Sequence, residues 1–230
     1  PDELNKLEQR ITQLKENGCE IVATLFTHYH SDHIGDLDAI SKIYNAPIWT
    51  SSETSSKIPE LNSERILTDG EKIILDSPQG KMTLEVLITP GHCPGHICLN
   101  TSAGIVSGDM VAGIGTILIP PSDGNMEEYL FQLKRLINLK PNLLFPSHGP
   151  VLPIPKKTLE HYINHRTTRQ NKILNVVKQE IGYVNEIAKI AYEDTPNAHD
   201  ALSIQQTLSH LLSLEREGAI TSIGSTWKIN

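Results

Sequence analysis

The chain has 230 residues, of which 38% are hydrophobic, and it carries a formal net charge of −7 at pH 7. This length can bury one sizeable core together with a small second unit. No apolar run approaches the roughly 18 residues that a membrane-spanning helix needs, so the sequence predicts no membrane partner. The negative charge also opposes a large nucleic-acid footprint, because phosphate binding draws on clustered lysine and arginine.

The cysteines and the start of the chain bear on the cellular compartment. Cys19, Cys93 and Cys98 do not make an even disulfide framework, which favours a reducing compartment. No secretory segment opens the chain, which begins with Pro1. We therefore expect a cytoplasmic or organelle-matrix protein that is not secreted. Cys93 and Cys98 flank His96, but no second Cys/His pair stands at zinc-finger spacing, so we interpret both as small core residues.

A helix is predicted at residues 2–17, directly before the first strand, and Gly18 ends it. Its apolar residues recur on one face, as an amphipathic helix requires: Leu4, Leu7, Ile11 and Leu14.

A cluster of metal-ligand side chains follows the strand predicted at residues 21–26, a continuous apolar run. Side chains two apart in an extended chain point the same way, so His28 and His30 leave the strand end side by side. Asp32 and His33 lie on the following turn and can face a second point nearby. Imidazole nitrogen and carboxylate oxygen are the ligands that zinc and similar divalent ions take. We interpret this cluster as a metal site and not as a chance group of surface histidines.

The next part of the chain is predicted to alternate short helices, strands and turns. In chain order, the predicted elements are a helix at 32–44, a strand at 47–50, a polar loop at 51–64, a hairpin of 73–75 and 82–88 around 76–80, and a strand pair of 97–99 and 104–106.

Three later strand ends carry a further histidine or aspartate. His92 follows the strand at 82–88, Asp109 ends a strand that begins at residue 105, and His148 ends a strand that begins at residue 143. Glycine and proline turns follow each of them, and such junctions are where a rigid scaffold presents chemistry. Each of these residues alone is weak evidence for a metal site, but together and in this order they are strong evidence for it.

Two elements lie between Asp109 and His148. The stretch at 113–125 is rich in glycine and proline and is predicted to run along the site as a substrate-facing loop. A helix is predicted at 127–139, with four inward residues: Leu130, Leu133, Leu136 and Ile137.

A second unit is predicted at residues 154–230, because the charge balance shifts there. Residues 1–150 carry 11 Lys+Arg against 19 Asp+Glu, whereas residues 151–230 carry 9 against 8. The basic excess lies in one predicted helix, whose cations are Lys156, Lys157, Arg166, Arg169, Lys172 and Lys178.

Two shorter helices, at 184–191 and 201–217, and a hairpin at 218–229 complete the second unit. The hairpin is predicted to turn at Gly224 and Ser225. Helices followed by a wing-like hairpin indicate a small winged-helix-like α+β domain.

The ordered set of strand-end residues resembles the metallo-beta-lactamase superfamily, whose pattern is HxHxDH followed by His, Asp and His. The match covers roughly residues 20–152, and all seven positions are filled: His28, His30, Asp32, His33, His92, Asp109 and His148. The resemblance implies an α/β fold, a four-layer αββα sandwich with a two-metal site at one edge of the sheets. It also implies that His28, His30 and His92 hold the first metal. By the same resemblance Asp32, His33 and His148 hold the second, and Asp109 bridges both.

The beginning of the chain departs from the family pattern. Members normally start with several strands, one of which ends in an Asp-Thr-Gly turn, whereas this chain starts in the helix at 2–17. A sandwich domain at residues 1–153 without its first strands would expose a long hydrophobic sheet edge. We therefore expect that the sequence starts part-way through the natural protein.

Motifs of the C-terminal unit are similar to those of one subgroup, the lactamase-beta-two group of endoribonucleases on single-stranded RNA with a winged-helix-like domain, and this resemblance spans roughly residues 20–230. The residues that carry this resemblance are His165, Arg166 and Arg169, then 191–196 and 214–218, and Trp227 near the end. A structural lid or a homodimer contact is the alternative role for this unit, since a winged helix alone does not establish nucleic-acid binding.

The ligand set implies a dinuclear hydrolase. Two divalent ions, zinc by preference and manganese or iron as alternatives, would share one bridging water and lower its pKa toward neutrality. Asp32 would orient the resulting hydroxide or take its proton, and Asp109 would fix the metal separation, so both are candidate catalytic residues. No general acid is assigned, and His96 is interpreted as supporting the site or the core. The remaining histidines are expected to be structural or exposed: His161, His165, His199 and His210.

Two substrate classes remain open. The first hypothesis is an endoribonuclease on single-stranded RNA, which the subgroup resemblance and the basic helix favour. The alternative is a small-molecule ester or thioester hydrolase, of the glyoxalase II type or a lactonase. A closed slot would indicate a small acyl substrate, whereas an open groove with stacking partners would indicate RNA. Trp49 and Tyr29 are the aromatic residues nearest the site in the sequence. A non-catalytic binding module and a secreted beta-lactamase are both disfavoured.

Overall fold

The computed structural model describes residues 2–77, 80–180 and 182–230, in which helices flank two β-sheets. The first helix, α1 (Asp2–Glu16), buries Ile11 and ends before Gly18, as predicted. Of the turn predicted at 76–80, Pro78 and Gln79 lie outside the described residues. Within the described part of the chain, no helix combines the length and the apolarity needed to cross a bilayer.

The smaller sheet contains three short parallel strands in the order β1-β2-β3. These are β1 (Thr24–Leu25), β2 (Ile48–Thr50) and β3 (Arg65–Ile66). The helices between them are α2 (Ser31–Ile34), α3 (Leu37–Ile43), α4 (Ser52–Lys57) and a 3-10 turn at Pro59–Leu61.

Three of the predicted elements differ in this region. The strand predicted at 21–26 is only two residues long. The helix predicted at 32–44 is divided, because Gly35 has a φ of 65° and Asp36 starts a new helix by accepting a hydrogen bond from the Ala39 amide (3.0 Å). The prediction of a loop at 51–64 was wrong, because α4 lies within this stretch. The Ser51 hydroxyl caps this helix by accepting a hydrogen bond from the Thr54 amide (3.2 Å). This polar helix has no apolar stripe to reveal it.

The larger sheet has five strands in the order β4-β5-β6-β7-β8. They are β4 (Lys72–Ser77), β5 (Gly80–Ile88), β6 (Ile97–Asn100), β7 (Ile105–Gly108) and β8 (Leu144–Pro146). The first four are joined as antiparallel neighbours, which confirms both predicted hairpins. The last pair is parallel and is connected through α5 (Met126–Asn138).

Three hydrophobic clusters separate four layers. The outer helices and the small sheet share Phe26, Ile34 and Leu61. The two sheets enclose Leu67, Ile73, Val86 and Ile97. The large sheet packs on α5 and on α6 (Pro155–Val177) through Ile105, Leu133, Leu136, Leu144 and Leu159. The αββα sandwich predicted from the sequence is therefore confirmed.

The C-terminal elements surround a fourth cluster. After α6 come α7 (Val184–Ala191), α8 (Asp200–Arg216) and an antiparallel hairpin of β9 (Ile220–Ile223) and β10 (Thr226–Ile229). Their core includes Ile173, Ile187, Leu211 and Trp227. The element order agrees with the winged-helix prediction, which stays a prediction, as does the division between residues 153 and 154. Helix α6 belongs to both cores, because Leu159 and Tyr162 pack in one while Ile173 and Val177 pack in the other.

Two of the six cations predicted to form a basic strip are buried in the structure. Arg166 and Arg169 are only 1% and 5% exposed. Arg169 donates to the carbonyl of Ala191 and, at 3.0 Å, to Asp194, and Lys172 also pairs with Asp194. The two arginines therefore do not belong to an exposed basic strip, whereas Lys156, Lys157 and Lys178 of the same basic segment are exposed.

His210 on α8 is buried in this C-terminal core. Its Nδ1 lies 3.3 Å from Gln170 Oε1, and Nε2 has no hydrogen-bond partner among the described residues. Burial, and then the charges of Arg166, Arg169 and His165, lower the pKa of His210 well below its ordinary value. A histidine with a lowered pKa in the folded state stabilises the fold above its unfolded pKa, and the stabilisation is lost as the pH falls below it.

Acid sensitivity of the fold is expected to decrease when His210 is replaced by glutamine. Between about pH 7.5 and about pH 5.5, the wild-type free energy of unfolding should fall by about 1.4 kcal/mol more than that of His210→Gln. Urea titrations at the two pH values measure this difference. The exposed His199 provides the control, and His199→Gln is expected to keep the wild-type slope. Equal slopes for wild type and His210→Gln would contradict the assignment.

Candidate metal centre

The structure brings all seven predicted ligand residues to one edge of the sheets. His28 and His30 follow β1, while Asp32 and His33 lie in α2. The other three lie beyond the ends of β5, β7 and β8: His92, Asp109 and His148. These three junctions converge because β5, β7 and β8 run in the same direction, so their carboxyl ends lie at the same edge of the large sheet.

The first group consists of His28, His30 and His92, whose ring nitrogens lie within 4.8 Å of one another. His92 Nε2 is 2.9 Å from His30 Nδ1. His28 is fully buried, and its Nε2 has no hydrogen-bond partner among the described residues. The Cys93 thiol, which the sequence analysis assigned to the core, lies beside this group. Burial raises the pKa of Cys93, so the thiol stays protonated at neutral pH.

The second group consists of Asp32, His33 and His148. His148 Nε2 lies 3.2 Å from His33 Nε2, and Asp32 Oδ2 lies 3.5 Å from each of these nitrogens. The side chains of Asp32 and His148 are 61% and 47% exposed, whereas that of His33 is 8% exposed. The second group therefore opens to solvent on one side.

Asp109 lies between the two groups and directs one oxygen toward each. Its Oδ2 is 3.6 Å from His92 Nε2. Its Oδ1 is 3.4 Å from His33 Nε2 and 3.5 Å from His148 Nε2. Burial acts to raise the pKa of Asp109, but these three histidines outweigh it and the net pKa is lowered. The carboxylate is therefore charged at neutral pH and available to a cation on either side.

This donor set fits two divalent cations. Burial, and then the neighbouring histidines, lower the pKa of His28, and burial lowers that of His92. Neutral imidazoles keep a lone pair for a metal. Asp109 Oδ1 and His28 Nε2 are buried without a hydrogen-bond partner among the described residues, an arrangement that is costly in a protein without a ligand. Histidine and aspartate suit zinc and also manganese or iron.

His96 lies directly behind Asp109 and contacts its backbone amide. It is fully buried, its Nδ1 donates to Thr89 Oγ1 at 2.8 Å, and its Nε2 accepts the Asp109 backbone amide at 3.0 Å. Burial and the neighbouring His92 lower the pKa of His96 to about 3. Gly108 makes this contact feasible, because its φ is 50° and an added Cβ would lie 2.5 Å from His96 Nε2. The sequence analysis singled out His96 only by its proximity to the ligand residues, and the contact with Thr89 was not predicted.

The loop predicted at 113–125 does run along the site. The Gly113 amide donates to the carbonyl of His148 at 2.7 Å. The carbonyl of Leu118 accepts from His92 Nδ1 at 2.8 Å. Because Nδ1 carries the proton, Nε2 of His92 keeps the lone pair that faces the first group.

Asp123 is a site residue that the sequence analysis missed. Its Oδ2 accepts a hydrogen bond from the Tyr29 hydroxyl at 2.5 Å and lies 3.5 Å from His30 Nε2. Since His30 directs Nδ1 toward His92, the carboxylate orients the opposite side of the ring. The available signal was an aspartate within a loop already expected to face the site.

Comparisons with known proteins agree with this fold. The profile of the metallo-beta-lactamase superfamily matches residues 1–148. A beta-lactamase-like protein 2 homolog from Drosophila melanogaster is 30% identical over 217 residues, which are 90% of this chain and 73% of that protein. An atrochrysone carboxyl ACP thioesterase from Aspergillus fumigatus is 26% identical over 69% of this chain and 48% of its own length. A solved beta-lactamase domain protein from Burkholderia ambifaria aligns with a TM-score of 0.78 at 19% identity, covering 97% of this chain and 80% of that one.

Proposed function

The chain belongs to the metallo-beta-lactamase superfamily, and from that premise we propose that it is a dinuclear metal-dependent hydrolase. Members of the superfamily are generally hydrolases and typically bind two divalent metals. The observation that carries the proposal is Asp109, whose two oxygens each face a separate group of histidines. A structural site for one ion would not need a carboxylate between two donor sets.

The roles of the residues follow from their positions. When bound, two divalent ions supply an activated water and stabilise the negative charge that develops on the substrate. His28, His30 and His92 would hold the buried ion, Asp32, His33 and His148 would hold the exposed one, and Asp109 would contribute a carboxylate oxygen to each group. Asp32, which is 61% exposed, is positioned to orient the attacking water and to accept its proton. His96 holds Asp109 in place through the backbone amide.

Single-stranded RNA is the substrate class that we place first. The second group is open, since Asp32 and His148 are both exposed, and an open edge admits a polymer without threading. Tyr29 lies beside His30 of the first group, and Lys57 Nζ is 5.7 Å from its ring centroid, so an aromatic ring and a cation lie close to the site. Trp49 does not contribute, because it packs between the sheets under the guanidinium of Arg65, 4.6 Å from the ring centroid.

A thioester is the second candidate, and a specific observation favours it. Ile114 and Val151 are 79% and 49% exposed, and both lie within a few residues of the contact between Gly113 and His148. An apolar rim of this kind suits an acyl chain better than a phosphate backbone. The Aspergillus fumigatus relative is named a thioesterase.

Parallel assays on one preparation distinguish the two substrates. Zinc-loaded and manganese-loaded protein is incubated with single-stranded RNA and, separately, with a glutathione thioester. We expect endonucleolytic RNA cleavage that stops when a chelator is added. The matched Asp32→Asn variant keeps the volume of the side chain but removes the carboxylate, so it must lose the same activity, which excludes a contaminating nuclease. Thioester turnover with intact RNA would replace the first candidate by the second, and inactivity on both would reject the two proposed substrate classes.

A further inference from the structure

Segment 117–119 of the site loop is held by side chains of the C-terminal helices. Arg166 on α6 donates to the carbonyl of Ile117. On α8, Gln206 Oε1 accepts the Ile119 amide at 3.1 Å, and Ser209 Oγ donates to the Ile119 carbonyl at 2.5 Å. All three side chains are at most 5% exposed.

These contacts replace secondary structure for this segment. Residues 117–119 belong to no helix or strand, so no ladder of backbone hydrogen bonds fixes their position. Leaving a buried amide or carbonyl unpaired costs about 1 to 3 kcal/mol. The position of the segment therefore depends on Arg166, Gln206 and Ser209, which lie 40 or more residues further along the chain.

Leu118 lies between the two clamped residues and contacts a ligand of the first group. Its carbonyl accepts from His92 Nδ1 at 2.8 Å, which fixes the ring orientation and the tautomer. His92 Nε2 consequently faces His30 Nδ1, at 2.9 Å, and Asp109 Oδ2, at 3.6 Å. Within the described residues, α8 makes no such contact near the second-group histidines, whereas α6 holds the backbone beside His148 through Tyr162, whose hydroxyl bonds Ala112 and Gly115.

We propose that the C-terminal helices act as a positioning clamp for the first metal group, with Arg166, Gln206 and Ser209 as its positioning residues. The clamp fixes the position of the Leu118 carbonyl, and this carbonyl fixes the ring orientation of His92. His92 then completes the donor set that it forms with His28 and His30. The metal-binding consequence rests on the proposed function, whereas the effect on the His92 tautomer does not. Because of the clamp, changes in α8 are expected to alter zinc binding at the first group more than at the second group.

A pair of serines on α8 provides the matched test. Ser209→Ala removes a buried hydroxyl that bonds segment 117–119, whereas Ser203→Ala removes a buried hydroxyl that bonds the Asp200 carbonyl within the same helix. The double variant Gln206→Met, Ser209→Ala removes both bonds to Ile119. Full-length protein is titrated with zinc against a competing chelator, and the histidine ring nitrogens of the metal-free protein are followed by ¹⁵N NMR.

The expected result is selective. We expect the double variant to bind zinc at the first group more weakly, on the order of tenfold, and to keep the wild-type zinc affinity of the second group. In the metal-free protein this variant is expected to show a mixture of His92 tautomers. Ser203→Ala is expected to have the zinc affinities and the His92 tautomer of the wild type. Ser209→Thr keeps the hydroxyl, so it is expected to keep the first-group zinc affinity that Ser209→Ala loses. Should the double variant fail to fold, the Ser209→Ala and Ser209→Thr pair decides the question alone.

Two results would overturn the clamp. One is a wild-type tautomer and wild-type zinc affinities in the Ser209→Ala and double variants, and the other is an equal loss in Ser203→Ala. A wild-type protein that binds no zinc would reject the proposed function instead. In that case the His92 tautomer in the metal-free variants still decides whether the clamp exists.

Discussion

Asp109→Ala is expected to lose bound metal and hydrolytic activity together, with a fall in kcat/KM on the order of a thousandfold. The carboxylate directs one oxygen toward His92 and the other toward His33 and His148. Its removal leaves both donor sets one ligand short and deletes the negative charge that offsets two cations. Elemental analysis of the purified protein gives the metal content, which should fall from close to two per chain.

Asp38→Ala is the matched control for this experiment. Asp38 is an exposed aspartate in the first turn of α3, close to the ligand cluster in the sequence but not part of it. Its removal is expected to leave metal content and activity unchanged. Full activity of Asp109→Ala with unaltered metal content would refute the assignment of Asp109 as the bridging ligand.

Gly108→Ala is expected to lower the free energy of unfolding by about 2 to 5 kcal/mol. The left-handed backbone at φ 50° accounts for about 1 to 2 kcal/mol. The new methyl group would lie 2.5 Å from His96 Nε2, and such overpacking adds about 1 to 3 kcal/mol. His96 can then no longer accept the Asp109 amide, so metal affinity should fall as well. Urea unfolding and zinc titration measure the two effects.

Gly224→Ala separates the backbone effect from the packing effect. Gly224 has a similar φ of 61°, but an added Cβ would meet nothing within 4 Å. This variant is expected to lose only about 1 to 2 kcal/mol and to bind metal normally. If both alanine variants lost the same stability and bound zinc equally well, the packing of His96 against Gly108 would not support the site.

The sequence predicts the convergence of the seven candidate ligand residues better than it predicts the elements around them. Ligands at strand ends are visible because each is a chemically distinctive residue at a junction that apolar periodicity and turn residues already mark. Helix α4 was missed because only Thr54 of its six residues is buried, so no periodic pattern exists to detect. Asp123 was missed for another reason: its role depends on Tyr29 and His30, which are more than 90 residues away.

Charge patterns in the sequence also fail to distinguish exposed from buried cations. Arg166 and Arg169 occur in a basic helix that, as a sequence, suits a polyanion. Both are buried because their long side chains reach carbonyls of Ile117 and Ala191, and only the packed structure places those carbonyls. A buried guanidinium is retained when several acceptors surround it, and the sequence does not list those acceptors.

Helix α6 has a consequence for how this protein can have evolved. Leu159 and Tyr162 in its first half pack in the core of the sandwich. Ile173 and Val177 in its second half pack in the C-terminal core. A recombination event near residue 154 would therefore have to supply a new helix that fills the same cavity over α5. Exchange of the C-terminal unit for an unrelated domain would thus remove part of the sandwich core and destabilise the sandwich. The two units are therefore expected to be inherited as one gene segment and to diverge together.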